Sequence, residues 1–202
     1  MSDYDNEYFF IRSDDANECL PYLRPDGRTN GITFRNRALP QTTQPLVFTN
    51  ALKDDFQRAG IKDEPADILF ESSNFLVRSH LHERLLECGV PDMHSHPAVY
   101  IGDDGLSHED YWFIGFTRRL DCWDRMRSTF DTPPATIGAN DFYSVRRYAL
   151  NASLFDVMPL RQRRLFQMGA TQDAMVVCHK SLAAIFLGNG NSGAILQPVG
   201  DY

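Results

Sequence analysis

The segment LVRSHLHERLLECGV, residues 76–90, carries the pattern that decides the fold, because a second segment repeats it. This second segment is VFTNALKDDFQRAGI, residues 47–61, and the two align without a gap. In each, two apolar residues end a strand, and a polar residue (Asn50 or Ser79) follows that can cap the start of a helix. Apolar residues four apart then share one helix face, and Gly60 or Gly89 is expected to end the helix in the left-handed conformation. The pattern predicts a recurring unit of strand, cap, short helix and glycine.

A third, weaker copy of this unit is VVCHKSLAAIFLGNG, residues 176–190. Strands are predicted at 8–11, 98–101, 111–116, 164–168 and 194–199 from short apolar runs. An amphipathic helix is predicted over 120–130 from apolar residues at helical spacing. Together these elements predict an α+β (mixed α/β) fold, in which short helices pack on a mixed sheet. We expect one domain over residues 1–202, with a loop-rich N-terminal arm (1–45) and a repeat-containing core (46–199).

Charge is unevenly distributed along the chain. The 202 residues carry a formal net charge of -7. Residues 1–110 hold 20 acidic against 10 basic side chains, whereas residues 111–202 hold 7 against 10. The shortage of cations argues against direct binding to nucleic acid, because recognition of phosphates needs an excess of Lys and Arg. The asymmetry indicates a charged protein partner.

The N-terminus, the apolar runs and the cysteines all favour a cytoplasmic protein. The first ten residues, MSDYDNEYFF, are acidic where a secretory signal is basic. The longest uninterrupted apolar run, 182–187, is far shorter than the roughly 20 residues that span a bilayer. The cysteines form no CxxC pair and resemble small buried hydrophobic residues: Cys19, Cys88, Cys122 and Cys178. We therefore expect a cytoplasmic location, reduced thiols, no membrane contact and no cofactor.

Longer segments around the repeated units resemble a known bacterial family. They are SNFLVRSHLHERLLECGVPDMHSHPAVY (73–100) and QDAMVVCHKSLAAIFLGNGNSGAILQPV (172–199), with YWFIGFTRRLDCWDRMRSTFD (111–131) and RRLFQMG (163–169) between them. This arrangement resembles immunity protein family eleven of bacterial polymorphic toxin systems, formerly a domain of unknown function. The resemblance covers about residues 46–199, and the first 45 residues fit it poorly. It implies a cytoplasmic antidote, encoded beside a toxin, that neutralises the toxin by binding it and has no catalytic residues.

Two alternatives stand beside a toxin-binding protein. The first is a JAMM-like zinc metalloprotease or hydrolase, in which HSHP (94–97) and SHED (107–110) supply His94, His96 and Asp110 to a metal. Ten residues lie between His96 and Ser107 where that family has about seven, so we interpret these histidines, with His108, as surface residues. The second alternative is a regulatory or scaffold protein whose partner is not a toxin. The sequence does not determine the oligomeric state.

Two acidic segments are predicted to bind the partner. The first is GDDGLSHEDYWF (102–113), with the candidate contact residues Asp103, Asp104, Glu109, Asp110, Tyr111 and Trp112. The second lies near the first repeat and comprises Asp54, Asp55, Asp63, Glu64 and Asp67. Carboxylates can imitate the phosphates that a nuclease toxin with a basic active-site surface binds, while aromatic side chains supply affinity. The alternative is that these segments are solvated loops whose charges keep the protein soluble.

Arginine runs at 118–119, 146–147 and 161–164 are interpreted as solvated strand ends.

Overall fold

A six-stranded mixed sheet forms the first half of the fold. A computed structural model describes residues 3–188 and 191–202 of the chain. The strands of this sheet, in spatial order, are β2 (Leu23–Pro25), β3 (Leu46–Asn50), β6 (Met93–Ile101), β7 (Ser107–Phe116), β5 (Asn74–Arg78) and β4 (Ile68–Glu71). The strands β3 and β6 are parallel, and all other neighbours are antiparallel. A bulge in the β6–β7 pair lies between Ala98 and Tyr100.

A five-stranded sheet forms the second half. Its spatial order is β15 (Ala194–Pro198), β1 (Tyr8–Ser13), β14 (Val176–His179), β13 (Leu165–Met168) and β8 (Arg119–Leu120). Within the described residues of this sheet, only the short pairing of β13 with β8 is parallel. The strand β1, predicted at 8–11, lies inside this sheet, so the N-terminal segment is loop-rich only around it and around β2.

Smaller elements complete the structure. Two antiparallel pairs join β9 (Thr129–Phe130) to β12 (Val145–Arg147) and β10 (Ala135–Ile137) to β11 (Asn140–Phe142). The α-helices are α1 (Lys53–Ala59), α2 (Ser79–Glu87), α3 (Ala152–Val157) and α4 (Ala183–Phe186). Short 3₁₀ helices cover Asp3–Asn6, Leu160–Gln162, Lys180–Leu182 and Val199–Asp201. Short helices beside mixed sheets confirm the predicted α+β class.

The two sheets enclose a shared core. Alternate residues of a strand point to opposite faces, so Val77 and Ile114 lie on one face of the six-stranded sheet and Leu76 on the other. Val77 and Ile114 pack with Val176 of the five-stranded sheet and with buried side chains of α2 and α4. The outer face of the six-stranded sheet carries a second core, and the outer face of the five-stranded sheet carries an aromatic-rich third core around Trp123. Both sheets are therefore buried on two faces.

The repeated units are present, but their caps differ from the prediction. The glycines that follow α1 and α2, Gly60 (φ 67°) and Gly89 (φ 57°), are left-handed as predicted. The predicted cap at Ser79 is wrong, because its hydroxyl donates to the backbone O of Asp110. Asn50 accepts from the backbone N of Leu52, before α1 begins. In the third unit His179 accepts from the backbone N of Ser181. The end of this third copy, Asn189 and Gly190, lies outside the described residues.

The predicted helix over 120–130 is wrong. The segment contains one isolated turn, in which Arg127 N and Ser128 N donate to Asp124 O. Other backbone groups bond to distant residues: Asp124 N donates to Ala149 O and Asn151 N donates to Cys122 O, both at 2.8 Å. Trp123 is 1% exposed, whereas Met126 is 93% exposed. The apolar spacing in this segment therefore reflects irregular packing against the third core and not a helix face.

All five predicted strands are present. The strands β1, β6 and β7 are longer than predicted, and β13 and β15 are each one residue shorter. None of the helices within residues 3–188 and 191–202 is long and apolar enough to cross a membrane. All four cysteines are free thiols, and Cys122 and Cys178 are buried.

Candidate functional site

The acidic residues of both predicted segments meet at one end of the six-stranded sheet. Since β3 and β6 are parallel, their carboxyl ends lie at the same edge, and the turn after β6 lies there too. The pairing of β5 with β7 and with β4 places Arg78 and Ile68 at this same end of the sheet. We call this surface the acidic end and define it by the nine carboxylates Asp54, Asp55, Asp63, Glu64, Asp67, Asp103, Asp104, Glu109 and Asp110.

Asp63 connects the two predicted segments. Its carboxylate is 5% exposed and accepts a 2.5 Å hydrogen bond from the Tyr100 hydroxyl. The backbone N of Asp103 donates to the same carboxylate at 3.3 Å. Burial and the neighbouring carboxylate raise the pKa of Tyr100, so this hydroxyl stays a donor. The loop before β4 and the turn after β6 are thus held together by one buried carboxylate.

Asp103 is fixed in place by the start of the first helical unit. Its carboxylate accepts from Asn50 Nδ2 at 3.0 Å, and its backbone O accepts from Lys53 Nζ at 2.9 Å. Partial burial raises the pKa of Asp103. The residue predicted as a helix cap, Asn50, therefore bridges β3 to the acidic turn.

Arg78 organises the other side of the acidic end. Its guanidinium contacts the Asp110 carboxylate at 2.5 Å and that of Asp67 at 3.7 Å. It also lies 4.6 Å from the centre of the Tyr111 ring. The charges of Asp67 and Asp110 are thus partly balanced inside the protein, which leaves less of them for a partner.

The predicted aromatic contacts are less accessible than expected. Tyr111 is 1% exposed and donates to the backbone O of Ala66, so its side chain belongs to the core and leaves the proposed contact set. Trp112 is half-buried and stacks on His82, with ring centres 4.0 Å apart. The apolar side chains that the acidic end exposes are Leu106 (62%) and Leu52 (39%).

The acidic end carries an excess of negative charge. Residues 53–67 contribute five carboxylates and three cations, residues 103–110 contribute four carboxylates, and Arg78 adds one cation. Asp55 is paired with Arg58. Across the described ranges, no ion pair neutralises Asp54, Glu64, Asp104 or Glu109, all of which are exposed. These four carboxylates are the charges available to a partner.

The ligand set of the metalloprotease alternative is not assembled. His94 lies opposite Gly115, five residues beyond Asp110 on β7, which places the two about 16 Å apart. His96 is 4% exposed and bonds to the backbone O of Gln44 at 3.1 Å, so the expectation of a surface position is wrong for this residue. His108 lies beside the Tyr100 ring. No group of three or more potential ligands for a metal occurs in residues 3–188 and 191–202.

The protein therefore has an α+β fold with a charged surface at one end of its six-stranded sheet, and its described residues contain no assembled metal site. The sequence model of the Imm11 immunity protein family matches residues 28–201, and the chain belongs to this family. The match starts earlier than the predicted resemblance at residue 46, so residues 28–45 are part of the family pattern. A search of curated proteins found no match.

Proposed function

We propose that this protein is an immunity protein that binds and neutralises a cognate bacterial toxin in the cytoplasm, without turnover of its own. Membership of the Imm11 family carries the proposal. Protection by binding requires an exposed surface that is complementary to the toxin, and the acidic end supplies a candidate. On this view the protein contacts neither nucleic acid nor membrane directly.

The acidic end fits a toxin with a basic surface, such as a nuclease whose active site binds phosphates. Complementary charge mainly accelerates association and selects the partner, while apolar groups at the centre of a contact supply most of the affinity. Leu106 at the tip of the β6–β7 turn is such a group, flanked by Asp104 and His108. The proposed contact set is Asp103, Asp104, Leu106, Glu109, Asp110 and Trp112, together with Glu64. Of these, Glu64, Asp104 and Glu109 supply the unpaired charge, because Asp103 and Asp110 are already held by Asn50 and Arg78.

Coexpression with the neighbouring toxin gene tests the function itself. We expect the protein to restore growth of cells that produce the toxin, and to form a complex that survives size-exclusion chromatography. Restored growth without a complex would point to an indirect mechanism and would contradict neutralisation by binding. Neither rescue nor complex would contradict the immunity role for that toxin.

A charge-neutralised variant tests the surface. Glu64→Gln, Asp104→Asn and Glu109→Gln remove three unpaired carboxylates without touching the pairs that hold Asp63, Asp103 or Asp110. At low ionic strength we expect association to be about tenfold slower and its salt dependence to be flatter. The matched control is Glu87→Gln, Asp141→Asn and Asp201→Asn, which removes three exposed carboxylates elsewhere. Equal association rates for the two variants would exclude the acidic end as the interface.

A further inference from the structure

A cleft opens at the seam between the two sheets. The chain leaves β7 at Phe116 and enters β8 of the other sheet at Arg119, so Arg118 lies at the crossing point. The loop after α2 forms one wall, which is fixed where Thr117 N donates to Asp92 O at 2.9 Å. The segment after α3, including Met158 and Arg161, forms another. The cavity measures about 460 Å³, within the range of pockets that hold small molecules.

Two arginine runs that are distant in sequence meet at this cleft. The run 118–119 leads into β8 and the run 161–164 precedes β13, and the parallel pairing of β8 with β13 brings them together. Arg118 and Arg161 both line the cavity and are exposed. Within the part of the chain that the structure describes, neither guanidinium has an ion pair or a hydrogen bond. The sequence pattern predicts solvated strand ends for both runs and does not indicate that they meet at one cleft.

The floor of the cleft is apolar. Phe116 and Leu165 are each 1% exposed and Phe166 is 5% exposed, and Leu120 completes the floor. An apolar floor favours an apolar body, whereas the fork-shaped guanidinium groups at the rim favour a carboxylate, sulfonate or phosphate. Asp92 is the one carboxylate among the described lining residues, so the rim carries a net positive charge.

We propose that this cleft, named here the arginine cleft, binds a small organic anion that combines an acidic group with an apolar body. Arg118 and Arg161 hold the acidic group by charge-assisted hydrogen bonds, and the partly exposed apolar side chains Leu120 and Met158 contact the apolar body. The site is independent of the toxin contact, because it lies where β6 begins, at the other end of that strand from the acidic end.

Fluorescence titration with anilinonaphthalene sulfonate tests the proposal on the intact protein. This probe has an anionic group on an aromatic body, and phenylnaphthylamine has a similar body without the charge. We expect saturable binding of one sulfonate probe per chain, and at least about tenfold weaker binding of the neutral analogue, as loss of a charge-assisted contact implies. Absence of saturable binding, or equal affinity for both probes, would overturn the proposal.

Substitution of the rim assigns the site. Arg118→Gln with Arg161→Gln should reduce affinity for the sulfonate probe to that of the neutral analogue. The control variant, Arg146→Gln with Arg147→Gln, removes two exposed arginines elsewhere and should leave binding unchanged. Thermal unfolding verifies that the variants fold, and Arg118→Lys with Arg161→Lys should retain part of the affinity. Equal loss in the rim and control variants would place the probe outside the cleft and refute the proposal.

A last measurement separates a free small molecule from an acidic side chain of the toxin. If the purified toxin complex binds the sulfonate probe as tightly as the free protein does, the cleft serves a small molecule. Loss of probe binding in the complex would assign the cleft to the toxin and overturn the small-molecule site. Only this measurement rests on the proposed function, since the titrations of the free protein need no toxin.

Discussion

Replacing Tyr100 by Phe removes one hydroxyl from the centre of the acidic end. Tyr100 is fully buried and Asp63 is 5% exposed, so water cannot readily replace the lost hydrogen bond. Among the described residues, the carboxylate would then keep only the 3.3 Å contacts from the backbone N of Asp103. A hydrogen bond to a charged group contributes about 1.5–3 kcal/mol, and the burial favours the upper half of this range. We therefore expect Tyr100→Phe to lower the free energy of unfolding by about 2–3 kcal/mol.

Urea unfolding followed by fluorescence measures this loss. The matched control is Tyr22→Phe, because Tyr22 is 42% exposed and its substitution should cost less than about 0.5 kcal/mol. In an Asp63→Ala background the acceptor is gone, so Tyr100→Phe should cost almost nothing. A loss for Tyr100→Phe that equals the control, or one that persists in the Asp63→Ala background, would show that this hydrogen bond does not hold the acidic turn.

Two further predictions concern protonation and thiol access. Burial lowers the pKa of His82, so the folded state disfavours the protonated ring while the unfolded chain takes up a proton near its usual pKa of about 6.5. The contribution of His82 to the free energy of unfolding should therefore be fully present above about pH 6.5 and be lost as the pH drops toward the lowered pKa. Urea unfolding at several pH values measures this loss, and His82→Gln should make the free energy of unfolding depend less on pH. Iodoacetamide should alkylate only the two partly exposed thiols, Cys19 and Cys88. The other two should not react, because burial raises the pKa of Cys178 to about 12 and Cys122 is fully buried. Peptide mass spectrometry measures the labelling, and label on Cys122 or Cys178 before unfolding would contradict the prediction.

Local patterns predicted the repeated units because their cause is local. A left-handed glycine after a short apolar helix depends on a few neighbouring residues, and Gly60 and Gly89 adopt that conformation. The segment 120–130 has helical spacing, but its backbone groups find partners near residue 150, which no local pattern shows. The strand β4 escaped prediction because its apolar run, Ile68–Phe70, has only three residues before Glu71, which is shorter than the run of about four to eight that indicates a strand.

The candidate site was predicted in parts but not as a whole. Both acidic segments were visible as composition, whereas their contact depends on the parallel pairing of β3 with β6. The residues that join them, Asn50, Arg78 and Tyr100, carry no motif. A signal against Tyr111 did exist, since the uninterrupted apolar run YWFIGF is typical of a strand buried on both faces.

The charge asymmetry of the sequence becomes a separation in space. The acidic end lies where β6 ends, and the arginine cleft lies where β6 begins, eight residues earlier, which corresponds to about 26 Å along an extended strand. Screening in physiological salt acts over about 8 Å, so neutralising carboxylates at one end changes the potential at the other very little. Charge changes at the acidic end should therefore not act on the arginine cleft through electrostatics, or the reverse. It follows that the triple acidic variant and the double arginine variant should act separately. The acidic variant should slow toxin association without changing affinity for the sulfonate probe. The arginine variant should weaken binding of the sulfonate probe without changing the rate of toxin association.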